Sequence, residues 1–501
     1  MGIILGGLAK LQAHAGSITI GFFIVLVFLV VKPFISGTRL PKNAPELLQG
    51  RSIFDSARFS TSRAEYLRQG KAESKDGQFS FWYGPNHAVA LSGQDVRSTY
   101  LTARGLDALS GFIALFGNSM NVDSLNNSYM RFFISIYKKC AQDEHLSASL
   151  RHLTTDSDAC FERIGASNVI NPLDVMEKLI YQLTHRVVGT HDVANDPELI
   201  ENTLAVYRPL EEGSFVDVLF PFLPTPSKIS KIWGFTKLHW SMQKIINKRR
   251  KSGKKGEDMM QMIIDHGCSD FLTSLAVIGS MLAGMFNTSS NTVWTLCNLA
   301  QEKSWLAKTR AQIDAVLEKR RRTKTETRLE TFQRFTLDDW ENELSLLHMA
   351  LKESMRFIMA GTVIRKNISG KDIPLADTGL VIPKDSIAVY ATADAHLDPQ
   401  IYPDPMKWDP DRHSEERAEG ANVPHSFIGW GSGHHTCPAM RFATMNMIVP
   451  IAMFIAYYDF EMCDQNGNNT TEPLPELQFD RVGAGRPTGK MYIRCKRRSY
   501  K

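Results

Sequence analysis

Apolar positions along this chain follow three different periods, and each predicts a different kind of element. The first pattern is unbroken. Between Lys10 and Lys32 lie 21 residues without Lys, Arg, Asp or Glu, with an apolar core over 18–31, just long enough to cross a bilayer as a helix. Lys32-Pro33 follows in place of a small-residue cleavage site, which favours a retained membrane anchor helix over 1–38 rather than a removed signal peptide. Lys32, Arg39 and Lys42 outnumber Lys10, so the C-terminal side faces the cytosol. Leu40-Pro-Lys-Asn-Ala-Pro45 predicts a stiff, extended linker over 39–50, because proline fixes φ and restrains the residue before it.

The second pattern is short runs bounded by turn residues. Phe79–Tyr83 and 88–91 read as strands, and the chain returns to strands over 363–390. Within that stretch, 379–390 predicts a hairpin turning at Pro383-Lys384-Asp385. The third pattern is helical and dominates from about 120 to 350. It includes a long helix with few charges over 270–300 and another over 335–357. A buried helix follows over 442–456. Between 395 and 436 the chain is irregular and held by prolines. The sum is one mainly α domain with small β-sheets over 51–501, preceded by the anchor.

Composition narrows the class. Apolar content of 43% and charged content of 22% are those of a globular protein, and a net charge of +5 is small for 501 residues. Neither that charge nor any aromatic-and-basic motif points to nucleic acid. Basic residues cluster at 248–255, 319–324 and 494–498. Such runs serve either as solvated helix ends or as a docking face for an acidic partner or anionic membrane. Seven scattered cysteines argue against a disulfide framework and for a reducing compartment.

One cysteine stands apart. Phe427-Ile-Gly-Trp-Gly-Ser-Gly-His-His-Thr-Cys437-Pro-Ala-Met-Arg-Phe442 carries glycines at 429, 431 and 433, so a flat cofactor can press against the backbone. Pro438 is suited to a first helical position. Cys437 is then expected at a helix N-terminus, where free N–H groups favour a thiolate, a strong ligand for haem iron. The residues leave two other readings open: an ordinary buried cysteine, and a zinc site of His434, His435 and Cys437 that lacks a fourth ligand. Upstream, Glu353 and Arg356 share a helix face one turn apart, and Trp408-Asp-Pro-Asp-Arg412 offers a second guanidinium. A carboxylate gripped by both would tie the meander to the helix, although on a surface such a pair contributes little. Ala283-Gly-Met-Phe-Asn-Thr-Ser289 places poor helix formers in mid-helix, which predicts either a local widening beside a ligand or a packing kink.

In this order and spacing, these motifs resemble a cytochrome P-450, a haem-thiolate monooxygenase, over the chain from about residue 40 to its end. The anchor fits the microsomal type, and the chain is similar to fungal members that oxidise terpenoids and steroids in secondary metabolism. The resemblance implies haem b with Cys437 as axial thiolate, and a locking triad of Glu353, Arg356 and Arg412. It implies Arg365 as a haem-propionate partner, His435 in the place of a second, and Gly431 and Trp430 as residues against the cofactor. Thr288 and its neighbour Asn287 become the proton-delivery residues. It also implies O2, electrons from NADPH through NADPH–cytochrome P-450 reductase, and the endoplasmic reticulum membrane with the catalytic domain on its cytosolic face. The chain departs from the family pattern at Trp430 (usually Phe), His435 (usually Arg), Ala439 (usually Gly), Met285 (usually Gly) and Asn287 (usually acidic). Asn orients water but carries no proton as a carboxylate does. A second propionate anchor is not evident over 130–160.

Met285, Phe286, Met359, Ala360 and Thr362 are the expected substrate-facing residues, which suit a lipophilic small molecule as well as they suit a plain core. Two other functions compete with a monooxygenase. One is a haem-thiolate isomerase or dehydratase that converts a peroxide without a reductase. The other is a membrane-anchored helical binding protein without redox chemistry.

Overall fold

A 32-residue helix, Asp270–Gln301, forms the axis on which the other helices pack. The computed structural model describes residues 40–48, 53–115, 127–210, 214–220, 223–480 and 483–500. The expected anchor over 1–38 lies outside the described residues, as do positions 39, 49 and 50 of the linker. Ser269 starts the long helix by accepting the Leu272 N–H at 3.3 Å. Pro172–Val188, Pro226–Ser252, Ser345–Ile358 and Met440–Tyr457 surround it. Their apolar faces merge with it into one large core that holds Met281, Leu296, Leu347, Leu351 and Phe454. Asp270–Gln301 and Met440–Tyr457 are long and apolar enough to span a membrane, yet both lie within this core.

A five-stranded sheet flanks the helices, in the order Phe79–Tyr83, Asn86–Leu91, Ile387–Ala391, Thr362–Asn367, Leu106–Asp107. Only Asn86–Leu91 and Ile387–Ala391 run parallel within it. A three-stranded sheet joins Ser167–Ile170, Tyr492–Arg497 and Tyr458–Cys463. Mainly helical with small sheets is therefore the observed class.

Several expectations change. The 379–390 hairpin does not form. Val381–Ile382 pairs with Ile373–Pro374, while Ile387–Ala391 enters the five-stranded sheet between Asn86–Leu91 and Thr362–Asn367. The second pairing buries Ile387, Val389 and Tyr390 in a five-stranded sheet, where a two-stranded hairpin would leave them wet. The 335–357 helix is two helices, Leu337–Glu341 and Ser345–Ile358. Thr336 caps the first with a capping box, and Asn342 ends it, its side chain turned back to Asp338 Oδ1 at 2.6 Å. Residues 53–61 and 63–73 are helical, which the search for strand-like runs missed. The linker is not free. Ser80 N donates to Glu46 O (2.8 Å) and Val381 N to Asn43 O (2.9 Å), so 43–47 lies along the sheet. The long helix runs as an unbroken α-helix through 283–289, without a widened turn. Ser289, Thr292 and Thr295 return their hydroxyls to its own carbonyls instead.

Candidate functional site

The cysteine loop is built by its own glycines. Gly431 and Gly433 have φ of +70° and +66°, where a side chain is strained. A Cβ at Gly431 would collide with His435 O, one at Gly433 with Leu101 O, and one at Gly429 with the Phe427 ring. The glycines thus satisfy the turn itself, beyond any need of a cofactor. Gly431 N donates to Ile428 O at 2.8 Å, and Cys437 N to Trp430 O at 2.7 Å. These bonds set the half-buried Trp430 beside the cysteine.

The helix after Cys437 begins only at Met440, so Pro438 is not its first residue. Cys437 consequently lies outside the helix end. Burial pushes its thiol up, and the Ala439 N–H pulls it down by less. The helix N-terminus expected to favour a thiolate is therefore not formed at Cys437 itself. The zinc reading fails on geometry. His434 is exposed, His435 Nε2 bonds to Leu106 O at 2.9 Å, and no three His, Cys, Asp or Glu side chains form a metal-binding group among the described residues. All seven cysteines are unpaired.

Two buried arginines flank the loop. Arg365, on Thr362–Asn367, donates Nη1 to Tyr100 O at 2.5 Å with its guanidinium 4.7 Å from the Tyr100 ring centre. Arg97, on Gln94–Thr102, donates Nη2 to Pro424 O at 3.3 Å, and its Nε has no partner. Neither faces a carboxylate within salt-bridge distance among the described residues. His435 titrates below the ordinary imidazole range because of burial first and the nearby Arg365 second, so it serves as a neutral donor to Leu106. Neither guanidinium is salt-bridged, Asp107 acting on Arg365 only at longer range, so the pair favours an anion. The paired propionates of a haem held by the Cys437 loop would supply it, and the residues present fit that group. The sequence reading missed Arg97. Its signal was a cation placed on the buried Val96, Tyr100 and Leu101 face of a short helix.

Behind the loop, Glu353 gathers the expected triad. Arg356 donates Nε and Nη2 to its two oxygens, each at 2.9 Å, and Arg412 donates Nε at 2.9 Å. His413 Nε2 adds a contact at 3.0 Å that the sequence did not reveal. Burial alone would raise the Glu353 carboxyl, but the His413 and Arg356 contacts override it and hold the pKa at about 2. Arg356 Nη1 reaches His396 O at 2.5 Å, and His396 Nε2 accepts the Ile428 N–H at 2.8 Å. The triad is thereby bonded to the start of the cysteine loop.

On the long helix, Ala283 is exposed in mid-span, and Phe286 and Asn287 are half-buried. Met285 is 0% exposed and packs wholly in the core, which removes it from the substrate-facing set. Thr288 is 5% exposed, and its hydroxyl makes no hydrogen bond among the described residues. Asn287 Oδ1 accepts the Ala484 N–H at 2.9 Å. Ala360 and Thr362 line a cleft of about 750 Å3 with Leu67, Phe79 and Phe479, and Met359 is half-buried beside them.

A cytochrome P450 family model matches residues 158–484, which include the Glu353 helix and the cysteine loop. The chain belongs to the cytochrome P450 family. Cytochrome P450 monooxygenase AacuE of Aspergillus aculeatus is 28% identical over 492 residues, spanning 93% of this chain and 96% of that protein. Cytochrome P450 monooxygenase nsrP of Aspergillus novofumigatus is 27% identical, over 89% and 90%. The sterol 14-demethylase of Arabidopsis thaliana is 26% identical, over 75% and 73%. The fold matches a retinoic acid-bound cyanobacterial CYP120A1 structure with TM-score 0.72 and 19% identity, over 92% of this chain and all of that one. As a P450 monooxygenase the protein is an enzyme of a haem-thiolate family whose members generally use O2 and a reductase partner. This excludes the non-redox binding protein.

Proposed function

We propose that this P450 binds haem b through Cys437 and oxidises a lipophilic, terpenoid- or steroid-like small molecule, drawing electrons from NADPH through NADPH–cytochrome P-450 reductase. The buried Arg97 and Arg365 beside the cysteine loop, neither salt-bridged among the described residues, carry the proposal, since they provide for a dianionic cofactor at that place. When bound, the haem supplies O2 activation and C–H oxidation. The protein's part is spatial and protonic. Arg97 and Arg365 anchor the propionates, Trp430 shields the sulfur, and Glu353 with its partners holds the loop. The free Thr288 hydroxyl is placed to pass protons through water, because the helix carries no carboxylate over 271–301. Phe286, Met359, Ala360 and Thr362 are the apolar or weakly polar side chains offered to a substrate. The names of relatives acting on a sterol and binding retinoic acid accord with a lipophilic substrate.

Asn287 in place of an acid favours a second reading, the peroxide isomerase. Candidate terpenoids and steroids supplied to the purified protein with reductase separate the two. The monooxygenase reading predicts oxygenated products only when NADPH is present. Conversion of a peroxide with no electron donor would instead establish the isomerase.

We also propose that the protein sits on the cytosolic face of the endoplasmic reticulum membrane. The apolar stretch ahead of Lys32 supports this, and so does Pro226–Ser252. That helix buries Leu238, Met242 and Ile245 inward yet exposes Ile229, Ile232, Trp233 and Trp240 on the opposite side. It carries eight Lys and Arg and no acid, the pattern of a helix lying on an anionic lipid surface.

A further inference from the structure

The turn ahead of Arg486 is tied at two adjacent residues, one to the end of the Glu353 helix and one to an amide oxygen on the long helix. Leu477–Gln478 and Arg486–Pro487 pair as a small hairpin. Gly485 N donates to Ile358 O at 2.7 Å, where the Glu353 helix ends and leads into Met359 and Ala360. Ala484 N donates to Asn287 Oδ1 at 2.9 Å. The contact is shaped from both sides. Gly483 has φ of +92°, and a Cβ there would collide with Asn287 Oδ1. One residue earlier, the Phe286 ring lies 5.4 Å from the Arg486 guanidinium.

We infer that Asn287 is a positioning residue that fixes the 483–486 turn against the substrate-facing side of the long helix. An amide oxygen accepts the Ala484 N–H and holds it without titrating, whereas the family's usual acid at this place would carry protons. The turn, the Met359–Ala360 segment and Phe286 are thereby held in one arrangement, and pocket shape depends on a bond that has no part in proton transfer. This inference rests on the haem-thiolate reading above only in its ligand test.

Two measurements on the full-length protein test it. Amide hydrogen exchange at Ala484 needs no ligand: Asn287→Leu is expected to speed it, and Asn287→Asp, which keeps an acceptor, to leave it protected. On the haem-loaded protein, imidazole reports the iron alone and clotrimazole, a bulky azole, reports the space around it. Asn287→Leu is expected to leave the imidazole-induced Soret shift at its wild-type affinity and to weaken clotrimazole about tenfold. Asn287→Asp restores clotrimazole binding. The inference is overturned if Asn287→Leu leaves Ala484 exchange unchanged, binds clotrimazole as wild type does, or weakens both azoles alike. A wild-type protein blind to imidazole sinks the haem-thiolate reading instead, and Ala484 exchange still decides the role of Asn287.

Discussion

Glu353 accepts from Arg356, Arg412, His413 and the Asp409 N–H while fully buried. Removing one partner of such a group leaves buried charge uncompensated, so Glu353→Gln is expected to cost about 3–5 kcal/mol in urea unfolding. Its depressed pKa also fixes a pH dependence. A carboxyl held below its ordinary value stabilises the fold above that value and loses the contribution as pH falls. Stability should therefore drop as pH is lowered from 4.5 towards about 2, and Glu353→Gln should remove that part of the slope. Arg97→Ala and Arg365→Ala each delete one charge-assisted anchor. Each should weaken haem retention about tenfold when challenged with apomyoglobin, while unchanged transfer would contradict their assignment. The triad was legible because its spacing is local on a helix and in one turn. His413 and His396 were not, since a histidine inside an irregular, proline-held stretch has no periodicity to betray its partner.

Among elements, the long helix and the buried helix after the cysteine loop were readable from composition alone. Pairing partners were not. The 379–390 segment looks like a hairpin until Asn86–Leu91, some 300 residues away in sequence, and Thr362–Asn367 compete for Ile387–Ala391. A helix start near Pro438 was also expected too early, since the helix begins at Met440, and burial raises the Cys437 thiol. Pro226–Ser252 yields a prediction of its own. In vesicles containing phosphatidylserine and brominated lipid, tryptophan emission of the full-length protein should be quenched. The quenching should fall in the Trp233→Phe, Trp240→Phe double variant. Equal quenching in both would place this helix away from the bilayer.

Across the whole molecule, many of the clustered cations are paired with acids of the same chain, although most of them stay exposed. Arg249 is paired with Asp192 and Asp258, Arg320 with Asp339, and Arg498 with Asp314. The basic runs at 319–324 and 494–498 therefore argue less for a docking face than their sequence does. What the topology adds is convergence: the 94–102 helix, the Thr362–Asn367 strand and the 427–437 loop bring Arg97, Arg365 and Cys437 together from three distant parts of the chain. That arrangement has meaning only if the sulfur binds iron. The most direct test is the absorption spectrum of the dithionite-reduced, CO-saturated protein. Wild type should show the red-shifted Soret band of a thiolate-ligated haem, and Cys437→Ala should lose it while remaining folded. A wild-type band at the position given by a neutral ligand, or one that survives Cys437→Ala, would contradict the account.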